Sequence, residues 1–110
     1  MITKSVKTIW AKIYISGPVE LVESICREYC SVVGLCVTVT KTKFIYTGGE
    51  EDGVEVGLIN YPKFPLKNGE VEIRQKANKL AMVLLDKTFQ DSVLVMTPTK
   101  TEWHTKRIRG

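Results

Sequence analysis

The order of periodic segments constrains the fold of this chain more than any other feature of its sequence. Two segments carry apolar residues at helical spacing, and the segments around them alternate between apolar and polar residues as β-strands do. The order is strand, helix, strand, strand, helix, strand. This order predicts a small α+β protein in which one sheet is backed by two helices.

Turn and capping residues suggest where each helix and strand begins and ends. Pro18 suits the first turn of a helix and Gly34 suits its end, while Pro62 and Pro65 exclude regular structure between the third strand and the second helix. A slip in the alternation near Lys41 suggests a bulge in the second strand. The predicted strands are Thr8 to Ser16, Leu35 to Tyr46, Val54 to about Tyr61 and Ser92 to about Trp103, and the predicted helices end near Val33 and Phe89.

The connections between these segments narrow the topology. Strand–helix–strand crossovers are right-handed, and the second and third strands follow one another as in a hairpin. Pro98 favours an edge position for the last strand, at least in its second half, and Lys41 and Lys43 favour one for the second strand. We therefore predict a ferredoxin-like βαββαβ sandwich, with a four-stranded antiparallel sheet in the order 4-1-3-2 and both helices on one face.

Size and composition narrow the class of protein. The 110 residues suit a single α+β domain spanning 1–110, and 44% of them are hydrophobic, which is typical of a globular chain. No apolar run is long enough to cross a bilayer, and no signal peptide is apparent, so we expect a cytoplasmic protein without a membrane partner. The three cysteines suit a reducing compartment and match no zinc spacing, so neither a metal nor a cofactor is predicted.

One face of the predicted sheet has no helix to cover it. A solvated face normally carries Lys, Glu, Thr and Ser, but several large apolar side chains share this one. Such a patch indicates contact with a partner. The alternative is that the C-terminal segment folds back over the face and Trp103 fills it. The residues of this predicted interaction face are Trp10, Lys12, Tyr14, Ile59, Tyr61, Leu94 and Met96.

Two further features suggest contact with an anion. Free N–H groups at the start of each helix can bind one, and the candidates are Ser16 and Gly17 at the first helix and Lys63 and Lys67 near the second. The alternative at both positions is ordinary capping. The segment 100–110 mixes basic and aromatic residues, as in Lys100, Trp103, His104, Lys106, Arg107 and Arg109. It suits nucleic acid or an acidic protein surface, and equally an extended or frayed end.

Short stretches of the first strand resemble known families. The run Lys12 to Gly17, KIYISG, resembles the strand-one motif of the RNA-recognition-motif family, which stacks bases on an open sheet. At the position of that family's second motif this chain has Glu55 instead of a stacking aromatic residue. The run Ile13 to Pro18, IYISGP, is similar to the opening strand of nucleoside deoxyribosyltransferase-like enzymes, and that resemblance implies a parallel sheet and an acidic nucleophile.

These observations lead to three functional hypotheses. The first is a non-catalytic binding or regulatory protein, such as a phage-type inhibitor, that forms a homo-oligomer through its open sheet face or its edges and binds a protein or a nucleotide-like anion. The second is a nucleic-acid-binding module that uses the sheet aromatics and the basic tail. The third is a small enzyme with a site between subunits. Because His104 stands alone and no nucleophile motif is present, the sequence favours a protein without catalysis.

Overall fold

The computed structural model describes residues 1–107. Its elements follow one another as β1 (Trp10–Ser16), α1 (Val19–Val33), β2 (Thr38–Tyr46), β3 (Gly49–Ile59), α2 (Gly69–Lys87), β4 (Ser92–Met96) and β5 (Thr101–Thr105). Within the described range, no helix is both long and apolar enough to cross a membrane. Arg109 of the basic tail lies outside the described residues.

The strands form one sheet in the order β2-β3-β1-β4-β5. Each neighbouring pair is antiparallel. The prediction of an α+β fold with two helices and an antiparallel sheet is confirmed. The parallel sheet implied by the similarity to deoxyribosyltransferase-like enzymes is wrong, because every pair of neighbouring strands runs in opposite directions.

The core lies between one face of the sheet and the two helices. Alternate residues of the central strands, such as Ile13 and Val56, are fully buried against α2 residues such as Leu80 and Leu84. Because side chains of a strand point to opposite faces in turn, the residues between them lie on the other face. The same alternation that builds the core therefore leaves a second set of side chains away from the helices.

Both helices begin or end at residues that the sequence marks. Gly34 has a φ of 76°, in the left-handed region that favours glycine, and its N–H donates to the carbonyl of Cys30 at 2.9 Å. At the start of α2, the N–H groups of Lys67 and Asn68 donate to one carboxylate oxygen of Glu72 at 2.8 and 2.9 Å. The bonds from Asn68 and Lys67 hold the pKa of Glu72 below its ordinary value.

The four-stranded sheet of the ferredoxin-like prediction is wrong, because the segment expected to form one last strand forms two. Thr97 and Lys100 close a turn, with the Thr97 N–H donating to the Lys100 carbonyl at 2.8 Å. Pro98 lies inside this turn, and β5 returns alongside β4. Pro98 therefore marks a turn between two strands: β4 lies inside the sheet, and β5, formed from the second half of the predicted strand onward, is the edge.

The turn between β2 and β3 is shorter than predicted, because β3 begins at Gly49 instead of Val54. The residues of the two strands pair one to one from Thr38↔Gly57 to Tyr46↔Gly49, so the expected bulge is absent and the turn is only Thr47 and Gly48. The acidic residues between the two predicted strands belong to β3, where carboxylate oxygens of Glu50 and Asp52 lie 3.4 and 3.1 Å from the Lys43 ammonium. Opposite charges across the strands compensate the acidic run.

Candidate functional site

The open face of the sheet carries a groove of about 500 Å³. Ligand pockets in proteins commonly have volumes of roughly 300–1,000 Å³. Three aromatic residues line the groove, Tyr14, Phe44 and Trp103, and Leu94 and Met96 contribute apolar surface. The polar groups along it include Ser16, Glu51, Asp91, Ser92 and Arg107. The groove therefore offers flat apolar walls together with charges of both signs.

A glycine shapes one wall of this groove. Gly53 pairs with Thr42 of β2, two residues from Phe44, and a Cβ at Gly53 would overlap the Phe44 ring. Without that Cβ, the ring leans across β3 toward Tyr14, so that the two ring centres lie 6.3 Å apart at 65°. This edge-to-face geometry is a favourable one for aromatic pairs. The missing side chain thus allows two aromatic residues from non-neighbouring strands to meet.

A tyrosine–carboxylate pair lies beside the groove. The Tyr14 hydroxyl donates a hydrogen bond of 2.7 Å to Oε1 of Glu55, and the Lys12 ammonium lies 3.5 Å from the same oxygen. The hydrogen bond with Glu55, with smaller contributions from burial and from the negative charge of Glu55, raises the pKa of Tyr14 to about 12. At neutral pH Tyr14 therefore keeps its proton and acts as a donor, not as a base.

A second carboxylate lies on the same face of β3. The Ser16 hydroxyl donates to Oε1 of Glu51 at 2.9 Å. Glu51 and Glu55 are four residues apart in one strand, so alternation places both on the open side of the sheet. Two carboxylates on an aromatic surface attract a cationic ligand and oppose phosphate. Nucleic-acid binding by this face stays an untested alternative, and these charges disfavour it.

The structure brings together only part of the predicted interaction face. Tyr14, Leu94 and Met96 line the groove, and Lys12 adjoins it through Glu55. The others lie toward the far end of the sheet, where Trp10 pairs with Ile59, which is 60% exposed. Tyr61 was placed on a strand, but β3 ends at Ile59 and the Tyr61 ring stacks on Phe64 in the following loop. Partner binding by this face stays a prediction.

The residues of the predicted basic tail do not form one patch. Trp103 pairs with Leu94 and faces the groove, whereas Nε2 of His104 lies 2.9 Å from Oδ1 of Asn78 on α2. The cationic groups of Lys100 and Arg107 lie 4.0 Å from the carboxylates of Glu102 and Asp91. Among the described residues of this segment, Thr101–Thr105 form β5, and the backbone N–H of Lys106 donates to the carbonyl of Asp91 at 2.7 Å.

The predicted anion-binding residues lie in two separate places. The N–H of Gly17 already donates to the carbonyl of Asp52 at 3.1 Å, and the Ser16 hydroxyl contacts a carboxylate. At α2, the carboxylate of Glu72 occupies the N–H groups of Lys67 and Asn68, and the Lys63 ammonium lies 5.6 Å from the centre of the Phe64 ring. Anion binding at these residues stays a prediction. An anion would have to compete with the protein oxygens that already accept hydrogen bonds from these N–H groups.

Sequence reasoning missed four residues of the site, namely Phe44, Glu51, Glu55 and Asp91. Glu51 lies between the predicted strands, which end at Tyr46 and begin at Val54, in a glycine-rich run that is typical of a loop. A two-residue turn at Thr47 and Gly48 would have extended the strand back through Glu51, in phase with Glu55. Glu55 was noted only as a departure from the RNA-recognition pattern, although an acid in place of a stacking residue is itself a signal of different chemistry.

Comparison with known proteins adds one finding. No protein-family model and no curated protein matches the chain. A solved structure of a phage SAM lyase in complex with S-methyl-5'-thioadenosine matches with a TM-score of 0.70 and 15% identity, covering 100% of this chain and 98% of that one. A phage SAM lyase in its apo state matches with a TM-score of 0.74 and 16% identity, covering 100% and 99%.

This similarity shows a shared fold over the whole of both chains. It also overturns the leading functional hypothesis. The sequence favoured a non-catalytic binding or regulatory protein, and that interpretation is wrong in light of the two matching structures, because both are of enzymes. The alternative of a small enzyme fits the comparison better.

Proposed function

We propose that this protein is a lyase that cleaves S-adenosylmethionine and releases S-methyl-5'-thioadenosine. The observation that carries the proposal is the aromatic, acid-lined groove on the open face of a sheet whose fold matches SAM lyases along its full length. Fold alone does not assign a reaction, so the chemistry of the groove has to support it.

The groove is complementary to the charges of this substrate. S-Adenosylmethionine has a sulfonium and an ammonium group, one carboxylate, a ribose diol and a flat purine. Aromatic faces and carboxylates attract cations, which suits the Tyr14–Phe44 wall with Glu51 beside it. Arg107, which also lines the groove, is a partner for the substrate carboxylate.

The reaction breaks the bond between sulfur and the γ-carbon of the methionine part. Its electron pair goes to sulfur, which leaves as a neutral thioether in S-methyl-5'-thioadenosine. An oxygen of the substrate's own α-carboxylate attacks the γ-carbon and closes a five-membered lactone, so neither water nor an external base is consumed. Positive and negative charge disappear together, and a surface that excludes water favours such a step.

The other route would remove a proton from the β-carbon and form an alkene. That carbon is not activated, so the route needs a strong base. Tyr14, with a pKa raised to about 12, holds its proton, and the carboxylates of Glu51 and Glu55 already accept hydrogen bonds from Ser16 and Tyr14. The groove thus favours lactone formation, in which the protein holds the substrate folded so that its carboxylate reaches the γ-carbon.

A second copy of the chain would complete this site. The groove is open along the sheet face, and large apolar side chains remain exposed on that face: Trp103 in the groove at 48%, and Ile59 toward the far end of the sheet at 60%. Covering them would bury apolar surface and exclude water from the reacting charges. We therefore include in the proposal a site between subunits, as the sequence-based enzyme hypothesis expected.

The direct test is to incubate purified protein with S-adenosylmethionine and follow S-methyl-5'-thioadenosine and the lactone by liquid chromatography and mass spectrometry. A protein-free sample measures spontaneous breakdown. Replacing Glu51→Gln removes one negative charge from the groove, and we expect kcat/KM to fall about 10- to 100-fold, as for loss of a hydrogen bond to a charged group. A folded protein that does not exceed the spontaneous rate would refute the lyase.

Glu50→Gln is the matched control. Glu50 precedes Glu51 in β3, so its side chain points to the opposite face, near Lys43. The Glu50→Gln substitution removes the same charge at the neighbouring position of the strand, and we expect near-native activity. Equal losses in both variants would show a general effect of net charge. For the intersubunit part, specific activity should fall on dilution together with the mass measured by light scattering.

A further inference from the structure

We propose that Trp103 is the platform on which the purine base of the ligand stacks, and that α2 positions this residue through the opposite face of β5. The inference rests on the proposed function and assigns the base-binding part of the groove. It also gives a role to the fifth strand, which the core does not require.

The sheet register places Trp103 at a suitable distance from the other aromatic wall. Tyr14 pairs with Leu94, and Leu94 pairs with Trp103, so the three side chains form one row across β1, β4 and β5. Two strand spacings separate Tyr14 from Trp103, or about 10 Å. A flat base in contact on both sides needs about 7 Å. Leu94, the smaller side chain between them, forms the floor of that gap.

The other aromatic residues of the face are already engaged. The Lys12 ammonium lies 5.4 Å from the centre of the Trp10 ring, and Phe44 meets Tyr14 edge to face. Trp103 is 48% exposed and lines the groove with its indole. A half-exposed tryptophan in a groove offers a large flat surface at low entropic cost. Asp91 and Glu51 nearby suit the hydroxyl groups of a ribose.

Polar contacts with α2 hold the opposite face of β5. Alternation points Glu102 and His104 toward the helix, where Nε2 of His104 lies 2.9 Å from Oδ1 of Asn78. One helical turn earlier, Nε of Arg74 lies 4.0 Å from Glu102, and its Nη2 lies 2.7 Å from Glu70. None of the five residues of β5 is fully buried. Backbone pairing with β4 and these contacts therefore set the position of Trp103.

Tryptophan fluorescence provides the test, because the chain has two tryptophans. In a Trp10→Phe background Trp103 is the only tryptophan, and selective excitation of tryptophan follows it alone. Titration with S-methyl-5'-thioadenosine should quench its emission, whereas 5-methylthioribose, which lacks the base, should not. By calorimetry on the native background, Trp103→Ala should raise the Kd for S-methyl-5'-thioadenosine about 5- to 150-fold, and Trp103→Phe by much less. Phe64→Ala, which removes a 73% exposed aromatic residue outside the groove, is the matched control and should leave the Kd unchanged.

Positioning by α2 has its own readout. Gln at position 104 retains an amide that can pair with Asn78, and Leu does not. We expect His104→Leu to raise the Kd and to make Trp103 more accessible to acrylamide in the folded protein, and His104→Gln to restore both values toward native. Equal effects of the two substitutions, or no change in acrylamide accessibility, would overturn the positioning role.

The remaining outcomes separate this inference from the lyase itself. If the native protein cleaves S-adenosylmethionine, and native protein and folded Trp103→Ala have the same Kd for S-methyl-5'-thioadenosine, the role of Trp103 is overturned and the lyase proposal stands. Trp103-dependent binding of S-methyl-5'-thioadenosine without cleavage would refute the lyase and support the platform. If native protein neither binds S-methyl-5'-thioadenosine nor cleaves S-adenosylmethionine, both proposals are wrong.

Discussion

Replacing Tyr14→Phe tests the hydrogen bond at the centre of the open face. The pKa of Tyr14 rises from 10.0 to about 12, chiefly through the bond to Glu55, and this difference corresponds to at most about 2.7 kcal/mol of stability. Because the side chain is partly exposed, solvent screening reduces the expected contribution to about 1 kcal/mol. For a chain of this length, the loss lowers Tm by about 4 °C.

The effect of pH gives this prediction a signature. Below pH 10.0 the hydroxyl is protonated in both the folded and the unfolded state, so the full contribution is present. Between pH 10.0 and about 12 the unfolded chain loses the proton first, and the contribution disappears. Urea unfolding at pH 8 and at pH 11 should therefore show a difference between native protein and Tyr14→Phe that shrinks at the higher pH.

Tyr46→Phe is the matched control, since Tyr46 is 55% exposed near the hairpin turn. It removes the same hydroxyl without touching Glu55, and we expect its stability to stay within about 0.5 kcal/mol of native at both pH values. If Tyr14→Phe behaves like this control, or if its deficit grows with pH, the hydrogen bond does not stabilise the fold in the way described.

Three further predictions concern packing and thiol chemistry. Leu80→Ala, at a fully buried position, should cost about 3 kcal/mol in urea unfolding, and a loss below about 1 kcal/mol would contradict its place in the core. Gly53→Ala should displace the Phe44 ring and lower the free energy of unfolding by about 1 kcal/mol. It should also raise the Kd for S-methyl-5'-thioadenosine in calorimetry, and an unchanged Kd would show that the ligand does not use this wall. Exposed Cys36 should react with a thiol reagent at pH 8 much faster than Cys26, because burial raises the pKa of Cys26 to about 11.

The sequence predicts the helices and the central strands well because their signals are local. In α1 the buried residues Val22 and Ile25 recur at helical spacing, and Gly34 marks the end of the helix, since capping depends on a few neighbouring residues. The alternation of residues around Ile13 predicts β1 and indicates which of its side chains face the core. Both signals, the spacing of apolar residues and the capping glycine, can be read from a short stretch of sequence.

The site was harder to predict because it depends on pairing between distant residues. Pro98 and Thr99 form a turn, but a proline in an apolar run also fits an edge strand, and only the pairing of β4 with β5 distinguishes them. Likewise, the meeting of Phe44 with Tyr14 requires the β2–β3 register and a glycine at position 53. The carboxylates of the groove were missed for the same reason, because Glu51 joins the face only when the hairpin turn is short.

The division of β1, β3 and β4 into a core side and a groove side has a consequence for how this protein can change. Residues of the apolar core and residues that face the groove are neighbours in the chain but point to opposite sides of the sheet. Substitutions on one side therefore leave the packing on the other largely intact, and their energetic effects should add. A sheet divided in this way can change the side chains of its groove while the apolar core between sheet and helices keeps its composition.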